Sequence, residues 1–97
     1  MRRYDSRPAA AALAARMRRD RVTGTVRPIV TEHMGSGYGC NPPKPYQLVQ
    51  SGVFDEDGAL IAYYSTNSRG KIMGNKPRPG WGWYPPKYTL LSDAEDA

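Results

Sequence analysis

Long apolar runs, thiols and imidazoles are all scarce in this chain of 97 residues, and each scarcity closes off a class of protein. No stretch approaches the roughly 18 consecutive apolar residues needed to span a bilayer, so no membrane span is expected. The one cysteine, Cys40, excludes an intrachain disulfide. The one histidine, His33, lies seven positions before it. A nucleophilic cysteine needs a base within reach and an orienting group, and a structural zinc site needs four ligands. This pair falls short of both, so no catalytic residue, metal or cofactor is expected. An enzyme is the class that the sequence supports least.

Large apolar side chains are also few. Hydrophobic residues make up 39 % of the chain, and many of them are alanines in one run at residues 9–15. Burying a large side chain contributes about 1.5–3 kcal/mol. Ordering the backbone costs roughly 1–2 kcal/mol per residue, which suits a core holding about 50 residues. The expectation is a single small domain whose ends are ordered by a partner. The alanine run behind Arg2, Arg3 and Arg7 is too short for a signal peptide, and Asp5 and Asp20 argue against a mitochondrial presequence.

Acidic residues are missing where basic ones concentrate. Residues 1–27 hold eight arginines against Asp5 and Asp20, a local net charge of +6. Residues 28–97 hold six basic and seven acidic side chains, a net of −1. The excess of the whole chain, +5, therefore belongs to one short segment, which an anionic surface will attract. Arginine outnumbers lysine ten to four beside abundant Ala, Gly and Pro. That bias is common in GC-rich genomes and accounts for part of the arginine count.

Local patterns then place the elements. Ser6 reads as an N-cap, Pro8 suits a first turn, and 9–19 is a run of helix formers. Leu13 and Met17 share one face of that helix, while Arg16, Arg18, Arg19 and Arg21 gather at its C-terminal end, where cations suit the helix dipole. Val22–Arg27 reads as a strand, which Pro28 places at an edge or breaks and 29–31 resumes. Gly- and Pro-rich residues 35–45 read as loop. The clearest signal is a β-hairpin, 46–54 against 59–65, across Asp55-Glu56-Asp57-Gly58. Strict alternation puts Ile61 and Tyr63 on one face and Leu60, Ala62 and Tyr64 on the other. From Asn67 the chain is basic and irregular, with a short strand offered at 88–91 and an acidic, frayed tail at 93–97.

The fold class that follows is small α+β: an antiparallel sheet centred on a β-hairpin, an N-terminal Arg-rich helical arm, and an irregular Pro/aromatic C-terminal extension. The segments are a basic arm (1–21), a small β domain (22–66) and an extended basic and aromatic segment with an acidic tail (67–97).

Motif patterns of catalysis and nucleotide binding do not fit. A calcium loop built on Asp55-Glu56-Asp57-Gly58 would need carboxylates where Val53 and Tyr64 stand. Gly35, Gly37 and Gly39 miss the dinucleotide spacing. The most unusual chemistry lies in 76–88, where Lys76, Arg78 and Lys87 flank Trp81, Trp83, Tyr84 and Tyr88 between prolines and glycines. Such rings can stack on unpaired bases while cations follow phosphates. They can equally anchor a protein interface, or fold back over the hairpin as a core layer.

The function expected from these features is a non-catalytic accessory or structural protein that docks on a larger assembly, such as a viral or phage virion or a multi-subunit complex. Arg16, Arg18, Arg19 and Arg21 would meet the anionic surface. Arg78, Trp81, Trp83, Tyr84 and Tyr88 would form the interface with a protein partner. Alternatives are a nucleic-acid-binding protein and a small phage-encoded inhibitor of a host defence enzyme. The expected location is cytoplasmic or virion-associated.

Overall fold

A computed structural model describes residues 2–35, 44–78 and 82–96. They form strand β1 (Arg2–Asp5), helix α1 (Ala10–Asp20), strands β2 (Thr25–Met34), β3 (Pro45–Phe54), β4 (Leu60–Thr66), β5 (Ile72–Asn75) and β6 (Tyr88–Leu90), and helix α2 (Leu91–Asp96). The architecture is α+β. The strands lie in the order β5-β4-β3-β2-β6 with every neighbouring pair antiparallel. β1 departs from the expected all-antiparallel sheet: it runs parallel to β3, from Arg2 beside Tyr46 to Asp5 beside Val49. Because β2 accompanies β3 over its whole length, β1 and β4 take successive stretches of the other β3 edge. They meet where the Thr66 N–H and hydroxyl donate to the Ser6 carbonyl, at 2.6 and 3.1 Å.

The helix lies within one residue of its expected span, but its cap differs. Ser6 gives its hydroxyl and its N–H to the Val49 carbonyl on β3, so it ties the end of β1 to the sheet instead of capping α1. Ala9 stands at the N-cap without a side-chain bond. At the other end, the Val22 N–H reaches the Met17 carbonyl (2.9 Å) and the Arg21 N–H the Arg18 carbonyl (3.2 Å). This is a Schellman closure, usually built on glycine. Here Arg21 takes the left-handed conformation, at φ 56°. Committing Val22 to this cap moves the start of the following strand from the expected Val22 to Thr25. Pro28 sits inside β2, yet β6 pairs only with Ile29–Thr31, so its missing N–H breaks no bond to β6.

The β3–β4 hairpin is present, and its turn is held by one side chain. Asp55 Oδ1 accepts from the Asp57 and Ala59 N–H groups, and Gly58 takes a positive φ of 83°. Between Val53 and Phe54 the register shifts by one residue, so that Phe54 pairs with Leu60 and Val53 with Ala62. This bulge overturns the strict alternation expected for β4. Leu60 and Tyr63 pack with one cluster, whereas Ile61, Ala62 and Tyr64 pack with the other. A second hairpin lies where irregular chain was expected. Asn67 Oδ1 accepts from the Arg69 and Lys71 N–H groups, Gly70 takes φ 79°, and β5 folds back along β4. The tail expected to fray forms α2 over Leu91–Asp96.

Both faces of the sheet carry a core. On one, Leu13 of α1 is buried with Val53, Ala62 and Tyr64, and Met17, Val22, Ile61 and Ile72 pack around them. On the other, Ile29, Phe54 and Leu60 are covered by Tyr63, Trp83, Tyr88 and Leu90. The basic segment thus contributes a strand and a helix to the sheet and its core. Among the described residues, no helix is long and apolar enough to cross a membrane.

Candidate functional site

The edge strand β5 brings together cations that lie far apart in sequence. Its alternation puts Gly74 opposite Tyr64 on the α1 face and Asn75 opposite Tyr63 on the other. At Gly74 the absence of a side chain matters: a Cβ there would come within 2.5 Å of Tyr64 Cε1, so only glycine lets the phenol ring lie over β5. The ring delivers its hydroxyl to Asp20 Oδ2 at the end of α1, at 2.9 Å. Arg16, one turn earlier, donates Nε to the same oxygen at 3.0 Å and Nη1 to the Ile72 carbonyl at 3.1 Å. Lys76 closes the set by donating Nζ to the Asp20 carbonyl at 2.8 Å, a favourable place for a cation at a helix C-terminus.

These contacts set the local electrostatics. Burial favours the neutral form of Asp20, but the Tyr64 hydroxyl and the Arg16 guanidinium outweigh it, and the carboxyl is held below its ordinary value. Burial, reinforced by the neighbouring Asp20 carboxylate, pushes the Tyr64 phenol up to about 12. Asp20 is therefore an ion already satisfied within the fold.

On the other side of β5, the Trp83 indole N–H donates to Asn75 Oδ1 (3.0 Å), and Asn75 donates to the Tyr63 hydroxyl (2.9 Å). The Trp83 and Tyr63 rings stack with centroids 6.4 Å apart. A cleft of about 440 Å³ straddles the strand edge between these two networks, lined by Arg16, Asp20, Gly74, Asn75, Lys76, Arg78, Gly82 and Trp83. A second cleft of about 390 Å³ adjoins it, sharing Asp20, Lys76 and Arg78 and adding Arg21. Among the described residues, four cations, Arg16, Arg21, Lys76 and Arg78, thus line the two clefts, and Asp20 is the one carboxylate that lines them.

The residues singled out from sequence are distributed as follows. Arg16, Arg21, Arg78 and Trp83 line the two clefts. Arg18 and Arg19 are exposed on the last turn of α1, with Arg19 reaching Asp20 at 4.0 Å. Tyr84 is 91 % exposed. Tyr88 packs against Phe54, with ring centroids 5.9 Å apart, on the face opposite α1. Trp81, like Cys40, lies outside the described residues. Sequence reasoning named Lys76 only as a flank of the aromatic segment and gave Asp20, Gly74 and Asn75 no site role, because their roles depend on β5 pairing with β4. Among the described residues, no three His, Cys, Asp or Glu side chains gather as a metal-binding group. Comparison with protein-family models, curated proteins and solved structures finds no match for this chain.

Proposed function

We propose that this chain is a non-catalytic accessory protein that docks on the anionic surface of a larger assembly, such as a virion or multi-subunit complex, through the cationic clefts at the β5 edge. The observation that carries the reading is the convergence of Arg16 and Arg21 from α1 with Lys76 and Arg78 from beyond β5, around one carboxylate that the fold already satisfies. Desolvating the partner's anionic groups there meets unbalanced positive charge. Arg21 adds support. It holds a left-handed backbone that a glycine would adopt without strain, and strain retained at a charged, exposed position is a pointer to use.

Retention on a heparin column tests this. Reversing Arg21, Lys76 and Arg78 to Glu is expected to bring elution to much lower salt. Reversing Arg69, Lys71 and Lys87, which line neither cleft, changes net charge by the same amount and should have a smaller effect. Equal shifts from the two triple variants would reduce the site to net charge alone.

A further inference from the structure

Among the described residues, those packed on the core of the sheet face opposite α1 gather over one part of it. Trp83, Tyr63 and Tyr88 lie over the part containing Ile29, Phe54 and Leu60. Towards the other end, where β1, β3 and β2 run side by side, the same face carries a row of rings. The register fixes this: Arg2 and His33 both pair with Tyr46, and Tyr4 and Thr31 both pair with Leu48. The Tyr4 and Tyr46 rings meet edge to face at 6.0 Å, and His33 stacks on Tyr46 at 5.4 Å and 23°. Tyr4 is 46 % exposed, Tyr46 and His33 are half-buried, and neither core cluster contains any of the three.

Two further features distinguish this row from incidental surface aromatics. One is the anchoring of His33. Its Nε2 lies 2.7 Å from Thr31 Oγ1, which also accepts a hydrogen bond from Gln50 Nε2 at 2.9 Å. Thr31 and Gln50 are both buried, so a satisfied polar pair inside the sheet fixes the tilt of an imidazole at its surface. The other is the sorting of charge. The alternation of β1 and β2 sends Asp5 and Glu32 to the opposite face, where they pair with Val49 and Gln47. Asp5 is engaged there by the Arg7 guanidinium. Arg2, whose Nη1 donates to the Tyr4 hydroxyl, stays beside the rings.

We infer that this ring-bearing part of the sheet, with Tyr4, Tyr46 and His33 beside Arg2, is a stacking platform for the unpaired bases of single-stranded nucleic acid. Every base has a π-face that can lie on an aromatic ring, and a neighbouring cation meets the phosphate that follows it. In a duplex those faces are covered by neighbouring base pairs, so the platform selects single strands. The site is separate from the β5 clefts and stands whether or not they bind an acidic partner.

Fluorescence anisotropy with labelled oligo(dT) of about 12 nucleotides, an abasic strand of that length and a matching duplex tests the inference. The single strand should bind more tightly than both controls. Tyr4→Ala and Tyr46→Ala should each weaken its binding by about 5- to 100-fold, while Tyr4→Phe and Tyr46→Phe keep the rings and stay near the parent. Tyr4→Ala, at an exposed edge, remains decisive if Tyr46→Ala fails to fold. The Arg21, Lys76 and Arg78 reversal should leave the ratio of single-strand to duplex affinity unchanged. Equal affinity for oligo(dT), abasic strand and duplex, or an unaltered Tyr4→Ala protein, would overturn the platform. So would absence of oligo(dT) binding, which would leave this face to a protein partner.

Discussion

The two faces of the sheet are closed by different kinds of chain. On one, α1 packs on the sheet and contributes a single buried side chain, Leu13, with Met17 half-buried beside it. Its alanines supply little area, and the polar anchor of Asp20, Arg16 and Tyr64 holds the last turn in place. On the other, the chain around Trp83 and Tyr88 lacks extended regular structure, yet its rings cover Phe54 and Leu60 directly. A helix is thus not required to close a face of a sheet: with Trp83, Tyr63, Tyr88 and Leu90 packed against them, Ile29, Phe54 and Leu60 are buried without one. The helical face depends more on its polar anchor, and the other face on aromatic area.

Truncation on each face tests that difference most strongly. Phe54→Ala is expected to cost about 3–5 kcal/mol, enough to unfold a domain of this size, because the ring is the centre of its cluster. Leu13→Ala should cost less, at the lower end of the roughly 2–5 kcal/mol seen for such changes, because an alanine-rich helix can settle towards the sheet. Denaturant unfolding followed by circular dichroism gives both values. A larger loss for Leu13→Ala would invert the comparison and make α1 the principal cover.

The polar anchor gives the helical face a pH dependence. In the folded protein the Tyr64 phenol is raised from 10.0 to about 12. The stability it contributes is complete below pH 10 and falls as pH rises towards 12, because the unfolded chain releases that proton first. The Asp20 carboxyl, held below its ordinary value, contributes stability present above about pH 4 and lost as pH falls further. Tyr64→Phe should cost about 1–2 kcal/mol at neutral pH by leaving Asp20 short of a donor. It should also flatten the alkaline limb relative to the parent. If the alkaline limbs superimpose, Tyr64 does not couple α1 to the sheet.

How legible this was in the sequence varies between the two faces. The helix, the first hairpin and the strand after Pro28 were readable because each is specified by local chemistry: an alanine run, an Asp-x-x-Gly turn and β-branched alternation. The second hairpin carries the same signal, Asn67-Ser68-Arg69-Gly70 echoing Asp55-Glu56-Asp57-Gly58, but the prolines downstream masked it. β1 was not readable, since four exposed residues with no apolar alternation become a strand only because the β3 edge beyond β4 is open. The candidate sites show the same division. Clustering of arginines on α1 is a local property of sequence. Their meeting with Lys76 depends on contacts of α1 with β4, β5 and the residue beyond it, 44 to 56 positions away, and that of Tyr4 with Tyr46 on a strand pairing across 44.

The aromatic cover can be probed through its own anchor. Asn75→Ala removes the acceptor of the Trp83 indole N–H and the donor to Tyr63, and at this exposed position should cost about 1 kcal/mol. In a Trp81→Phe background Trp83 is the one remaining indole. Its emission should then lie to the blue of free tryptophan and move to the red in Asn75→Ala. Emission of a fully hydrated indole before the substitution would show that the ring does not cover this face.

The smallest expected effect concerns how the helical face ends. Arg21 closes α1 in the left-handed region, where a side chain costs about 1–2 kcal/mol that glycine avoids. Some of that gain is offset because glycine also loosens the unfolded chain. Arg21→Gly should therefore raise stability by about 0.5–1 kcal/mol. The same substitution removes one of the cations around the clefts and should lower the salt needed for elution from heparin. Opposite movements of stability and retention are the signature of a residue kept for binding at the expense of the fold. Were stability to fall, Arg21 would serve the closure of α1 itself; were retention not to fall, the proposed docking surface would rest on Arg16, Lys76 and Arg78.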